Sequence, residues 1–379
     1  MEKSIKIAEI DELKRLIFEG FRLKGLPEFN GIFGTLQSSG LAVPITSQID
    51  NWGDKAIKLI YLLLPKAIIN PYFVETANIY DSKIDKGRII ISGSKDVINK
   101  IVNDLEKCLA FLKWCERFDE TKLNAKQKAE FSYGPLCTIV EYTHKVLIPA
   151  LMGLEDGKTK NTAMLHLYGR IFLLAKSIVK LNDFKDCQLL TASFRTLLEL
   201  YIDMRLIISS SIDNSIEKFF SFDEIYKFNS AKHLLEIDKE LNLAIKESSA
   251  LKNSLENHEQ KILLQKKLWG DKAKPIHWTN LTLESRSRKV GELETFRNIY
   301  YYGNMYIHSG YIKFPETEDE ACLICTHVYG SVLEIFKNAT ELICNEACIV
   351  QREEIIQETN MIYLLVGYFN LWKYLEPDS

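Results

Sequence analysis

Apolar residues recur at three- and four-residue spacing along most of the chain, and this periodicity predicts helices. Ile7, Ile10, Leu13, Leu16, Ile17 and Phe21 mark one helix within Ile5–Leu23. Gly25–Pro44 is crowded with turn formers and reads as loop. Trp52–Ile69 reads as a helix ending near Pro65. Arg88–Ser92 is a β-branched run followed by Gly93, the best strand candidate in the sequence. Ser94 then caps a helix from Lys95 to about Arg117, with Ile98, Ile101, Val102, Leu105, Leu109 and Leu112 on one face.

Asp119–Glu130 is polar and reads as a linker or connecting helix. From about residue 133 onward the pattern is helix after helix. The runs are Tyr142–Leu151, Thr162–Leu181, Cys187–Ser209, Ser215–Phe228, Ala231–Leu268, Thr282–Ile307, Glu318–Ile349 and Glu353–Tyr374, with a loop at Asp271–Leu281. Ala231–Leu268 is so charged that it is expected to project as a solvated arm whose apolar residues contact a second subunit. The fold expected is mainly α. Residues 1–130 would form a small α+β or helical module that senses or binds a partner, and residues 131–379 a helical bundle.

The composition agrees with long helices. There are only nine prolines and eighteen glycines in 379 residues. Basic and acidic side chains, 48 and 51, are interspersed and leave a net charge of -3, so the surface as a whole is not built to track a phosphate backbone. A local RNA site stays open. The opening MEKSIKIAEIDELKRL is a charged amphipathic start and not a secretory signal. Ile57–Ile69 and Met361–Trp372 fall short of the ~20 apolar residues that span a bilayer. With eight cysteines and no signal, the expectation is free thiols in the cytoplasm and no membrane association.

Two polar rows carry the candidate chemistry. On the otherwise apolar run Cys187–Ser209, Thr191, Arg195, Glu199 and Asp203 recur every four residues. Ionised groups in a dry interior cost several kcal/mol each unless paired. The row therefore faces either a wet cleft or a partner that completes a network. The second row is Arg297, Tyr301, Asn304 and His308, with Ser309 at the helix end. It offers a cation, donors, an acceptor and a group that titrates near neutrality, a set able to bind an anion and move a proton. Arg297 and His308 are three turns apart, roughly 16 Å along the axis, so one reacting centre needs both rows. The alternatives are an internal Arg195–Glu199 ion pair that fixes helix register for the first row, and satisfied polar residues at a helix–helix or dimer interface for the second.

Three pieces together, RTLLELYIDMRL at Arg195–Leu206, the His277–Trp278 pair and the Tyr301–Ser309 ending, resemble a bacterial helical family, domain of unknown function 5677. The resemblance covers roughly residues 160–315. Such proteins look similar in style to the helical HEPN toxins, many of which cut RNA in antiviral defence or toxin–antitoxin systems. The resemblance implies Arg195, Glu199, Tyr301 and His308 as functional residues. It leads to an expected bacterial effector of defence or toxin type that cleaves RNA without a metal or cofactor, with an antitoxin or other protein partner and a homo-oligomeric state. His308, Arg195 and Glu199 would be catalytic, with His308 as general acid/base. Arg297, Tyr301, Asn304, Ser309 and Trp278 would bind substrate. One departure matters: the HEPN arginine precedes its histidine by four to six positions, whereas Arg297 and His308 have ten residues between them. The competing expectation is a non-catalytic interaction or assembly protein whose polar rows are structural.

Zinc is disfavoured. Cys322, Cys325 and His327, and Cys344 and Cys348, sit in apolar helical sequence where reduced cysteine is a common core filler. No P-loop, G-x-S-x-G or HExxH string occurs.

Overall fold

The computed structural model describes residues 7–24, 42–73, 76–79, 95–181, 183, 186–241, 249–271, 275–298, 315 and 317–375. They form two compact units, and the described residues contain helices and no strand. The expected strand at Arg88–Ser92 lies outside the described residues, and the α+β character expected of residues 1–130 is not supported, because the described part of that region is helical. No described helix is long and apolar enough to cross a membrane.

The first unit comprises residues 1–143, 322–333 and 353–379. Its helices are α1 (Ile7–Lys24), α2 (Ala42–Leu63), α3 (Lys66–Tyr72), α4 (Lys95–Arg117) and α5 (Ala125–Tyr142). The middle of a long later helix and the C-terminal helix join them. The periodic face of α4 is buried as its spacing predicts, with Ile98, Ile101, Val102, Leu105 and Leu112 inside. It packs on α1 and α2. Trp52 of α2 donates its indole N–H to the Leu16 carbonyl at 2.9 Å. Gly20 lets these helices close up, since a Cβ there would lie 2.6 Å from both Trp52 and Val102 side-chain carbons. The polar stretch Asp119–Glu130 is a pair of capped starts. Asp119 caps a 3₁₀ turn at Glu120–Lys122, and Asn124 and Gln127 form a reciprocal capping box on α5.

The second unit comprises residues 144–321 and 334–352. Its helices are α6 (Ile148–Leu151), α7 (Lys160–Ile178), α8 (Cys187–Ser209), α9 (Ser215–Leu241), α10 (Ser249–Leu255), α11 (His258–Trp269) and α12 (Leu283–Lys289). Helix α13 (Glu318–Glu346) contributes its two ends here and its middle to the first unit, and α14 (Arg352–Leu375) follows in the first unit. Helix α8 is the axis of the second unit. It is apolar nearly all round and buries Leu190, Phe194, Leu197, Leu198, Tyr201, Met204 and Leu206. Helix α7 packs along it, and the Tyr168 hydroxyl shares a 2.8 Å hydrogen bond with Thr340 of α13.

Two sequence expectations change here. The stretch Ala231–Leu268 is not one continuous arm. Helix α9 runs on to Leu241, and α11 lies antiparallel on it, with Phe228 against His258 at 5.1 Å and Lys267 on Glu217 at 2.7 Å. The single helix expected over Thr282–Ile307 stops at Lys289. Gly291 takes φ +75°, the Glu292 N–H bonds the Ser287 carbonyl at 2.8 Å, and the Gly291 N–H turns to that of Arg288. This left-handed closure ends the helix, and helical backbone resumes at 293–298, beyond which the next described residue is 315.

Helix α3 starts after Pro65 without a side-chain cap of its own. Glu358 of α14 supplies one, accepting the Lys66 N–H at 2.6 Å and also bonding Ala67 N–H. Burial raises the Glu358 pKa above its ordinary value, against the opposing pull of Lys66. A carboxyl that holds its proton more tightly when folded contributes stability that is full below its unfolded pKa and is lost as pH rises through the folded one. Wild type should therefore lead Glu358→Gln most in acid, with the lead shrinking as pH climbs above about 4.3. Urea midpoints across that range measure it, and a lead that grows with pH contradicts the assignment. Two glycines give an opposite pair of expectations. A Cβ at Gly367 of α14 would lie 2.7 Å from the Phe131 carbonyl oxygen, whereas one at Gly169 of α7 meets nothing within 4 Å. Gly169→Ala should gain about 0.5–1 kcal/mol from helix propensity. Gly367→Ala should lose about 1–3 kcal/mol to the clash. Thermal unfolding of the two variants separates these outcomes.

Candidate functional site

The polar row of α8 divides by environment. Thr191 is buried and turns back on its own helix, donating to the Cys187 carbonyl at 2.6 Å. Arg195 and Glu199 are partly open and paired at 3.3 Å. Asp203 is buried, with its side chain 9% exposed. It is the residue of the row that most needs a cation, because its helix offers mainly apolar surroundings.

That cation is Arg286. Thr282 caps α12 by accepting the Ser285 N–H, and α12 packs on α8. The Arg286 side chain, 5% exposed, places Nη1 2.6 Å from Asp203 Oδ1 and Nη2 3.9 Å from Glu199 Oε2. One guanidinium thus lies against two carboxylates spaced one turn apart on α8. Its Nε is buried and has no partner among the described atoms. Beyond the turn that ends α12, Glu292 pairs with Arg205, which ties the chain to α8 a second time.

His277 closes the cluster from the loop before α12. Its Nε2 lies 2.9 Å from Asp203 Oδ2. Its Nδ1 faces the Thr279 N–H at 3.2 Å and the Thr279 hydroxyl at 2.9 Å. That hydroxyl accepts the Leu281 N–H at 3.1 Å, so its own hydrogen is free to go to Nδ1. A backbone N–H can only donate, and this makes Nδ1 the lone-pair nitrogen and Nε2 the one that carries hydrogen. Nε2–H then donates to Asp203. Arg286 Nη1 and His277 Nε2 sit 3.0 Å apart because both donors converge on one carboxylate, not because one bonds the other. The hydrogen bonds run in one sense, from Leu281 through Thr279 and His277 to Asp203.

The residues read from the sequence fall into three groups. Arg195 and Glu199 are together and beside Arg286. Arg297 is exposed and reaches Glu284 at 3.4 Å. Glu284 is two residues from Arg286 on α12, about 200° around the helix, so Arg297 is on the face turned away from Asp203. Trp278 is buried at 3% exposure, edge-on to Phe219 with ring centres 5.9 Å apart, and is no open stacking platform. Tyr301, Asn304, His308 and Ser309 lie outside the described residues. The sequence reading had Asp203 only as a member of the row and His277 only as part of a short motif, and it did not single out Arg286. The useful signal was the demand of a buried carboxylate for a cation; nothing local identified one 83 residues away.

Among the described residues no group of three or more His, Cys, Asp or Glu is arranged to hold a metal. Cys322 and Cys325 are buried in α13, and burial pushes the Cys344 thiol up to about 12, which opposes the thiolate a metal would need.

The tautomer of His277 is directly measurable. Long-range ¹⁵N–¹H correlation of the imidazole should show Nδ1 as the acceptor nitrogen and Nε2 as the protonated one. Thr279→Val should weaken that order by removing the hydroxyl donor while leaving the backbone one. The reverse tautomer in the wild type contradicts the network.

Comparison with known proteins bears on this same region. No curated protein and no solved structure matches the chain. Residues 161–319, which include Asp203, His277 and Arg286, match the model of a family of unknown function, DUF5677.

Proposed function

We propose that the chain is a helical interaction and assembly protein, and that the cluster at the α8–α12 junction is an internal tie and not a reacting centre. One observation carries this reading: the polar atoms of Asp203 and His277 are all engaged within the protein. A general base needs its lone pair turned toward a substrate. In His277 that lone pair faces two donors of Thr279. The surface offered for assembly is the α9–α11 hairpin, where Tyr226, Leu234 and Leu263 are exposed at 54%, 41% and 66%. Exposed apolar side chains among charged ones suit a homo-oligomer contact. Light scattering of the purified chain should give an oligomer, and Leu234→Glu with Leu263→Glu should give a folded monomer. A monomeric wild type, or an oligomer indifferent to both changes, overturns the assembly surface.

A second reading keeps the defence or toxin-type effector that cleaves RNA. Support comes from Arg195 and Glu199, a guanidinium and a carboxylate with side chains 25% and 34% exposed, open enough to meet an anion. In this reading His308 is general acid/base, and Arg195 stabilises the charge that develops on phosphorus. Tyr301, Asn304 and Ser309 hold the substrate, and no metal takes part. Purified protein incubated with total tRNA, beside a folded His308→Ala variant, distinguishes the two. Cleavage by wild type alone establishes the effector. Intact tRNA across a range of salts and cations, with the fold preserved, leaves the interaction protein.

A further inference from the structure

A groove in the first unit carries chemistry that the α8–α12 cluster does not touch. It runs between α1 and α4 and reaches α14, and it encloses about 530 Å³. Its apolar lining comes from Ile17 and Phe18 of α1, Leu109 and Trp114 of α4, and Trp372 of α14. A second hollow shares Trp114 and Arg117 with it and extends the floor to Leu123 and Leu375. Phe18 is 73% exposed at the lip. A large ring left this open beside a concave apolar surface is placed to anchor a partner that fills the hollow.

The rim has a definite sign. Lys14, Lys113, Arg117 and Lys122 border the two hollows, against Glu106 and Asp119. Asp119 accepts the N–H and the hydroxyl of Thr121 and Arg117 donates to the Lys113 carbonyl, neutral partners that leave both charges in place, so the rim holds four cations against two carboxylates. Cations thus gather here in a chain whose net charge is -3. The floor is suited to aliphatic anchors. Trp114 stacks on Phe118 at 4.4 Å and 27°, which uses one ring face, and Trp372 is only 3% exposed. A single-stranded nucleic acid would need open ring faces on which successive bases stack. A helix that lays an apolar stripe into the groove and carries carboxylates along its flanks satisfies both the floor and the rim.

We infer that this groove between α1 and α4 is a docking site for an acidic amphipathic helix of a protein partner. The inference is independent of whether the α8–α12 cluster is structural or catalytic. It is tested with the full chain and a fluorescein-labelled peptide, eighteen residues long, that repeats leucine at helical spacing with aspartate and glutamate between. Anisotropy should show saturable binding that weakens with salt, and a scrambled peptide of the same composition should bind about tenfold more weakly or worse. Phe18→Asp should cost about tenfold, since the ring is an anchor at the lip. Lys113→Glu with Arg117→Glu should do the same, and a peptide with lysine in place of its acidic residues should regain affinity for that variant alone. Circular dichroism checks that these exposed changes leave the fold intact. Equal binding of the scrambled peptide, indifference to the variants, preference for oligouridylate, or closure of the groove by a second copy of the chain would each overturn it.

Discussion

Burying Asp203 in an apolar helix is the constraint from which the organisation of the second unit follows. Helix α8 can sit at the centre of its unit because most of its surface is hydrocarbon. A carboxylate on such a helix loses its water, and that loss amounts to several kcal/mol unless a cation and hydrogen bonds replace it. Arg286 and His277 replace it. In doing so they pin the loop 275–281 and α12 to α8. These pieces are short, and α12 has only seven residues, too few to be stable alone. The cap at Thr282, the left-handed Gly291 closure and the Arg205–Glu292 pair then hold both ends of α12 in place.

The first unit uses the same device in a milder form. A short helix, α3, begins where no local side chain can cap it, and a buried carboxylate from far along the chain does so instead. In both units a polar group on a long, self-sufficient helix organises a short one. Glycine has a parallel role at Gly20 and Gly367, where helices approach too closely for a side chain. Apolar packing fills much of both interiors, including the aromatic group of Phe111, Phe369 and Trp372, with buried polar pairs such as Thr76–Asp104 and Tyr168–Thr340 set into it.

What was legible in the sequence is the part governed by local periodicity. Cys187–Ser209 and Lys95–Arg117 were legible because the first is an apolar run with one polar row at every fourth position and the second repeats one apolar face. The helix expected over Thr282–Ile307 failed at Gly291, where apolar spacing continues across a glycine that the backbone uses to turn. The charged stretch after Ala231 was misread as one arm because charge reports solvent exposure on one face and does not report that the other face folds back on α9. The return of α14 to the first unit is a long-range contact with no local trace. The candidate site was half legible for the same reason. Arg195, Glu199 and Asp203 form a row that any helix wheel shows, whereas Arg286 belongs to a charged run, SRSRK, that reads as plain surface.

A double-mutant cycle on Asp203 and Arg286 tests the central claim most directly, with stability of the full chain measured by urea unfolding. Asp203→Leu leaves the buried guanidinium with only Glu199 at 3.9 Å, and Arg286→Met leaves the buried carboxylate with only His277, so each single change should cost about 3–5 kcal/mol. The two together remove both charges, and their combined cost should fall well below the sum of the singles. Strictly additive costs, or single changes that leave stability untouched, would mean that the two groups are not coupled and that something other than this pair holds α12 to α8.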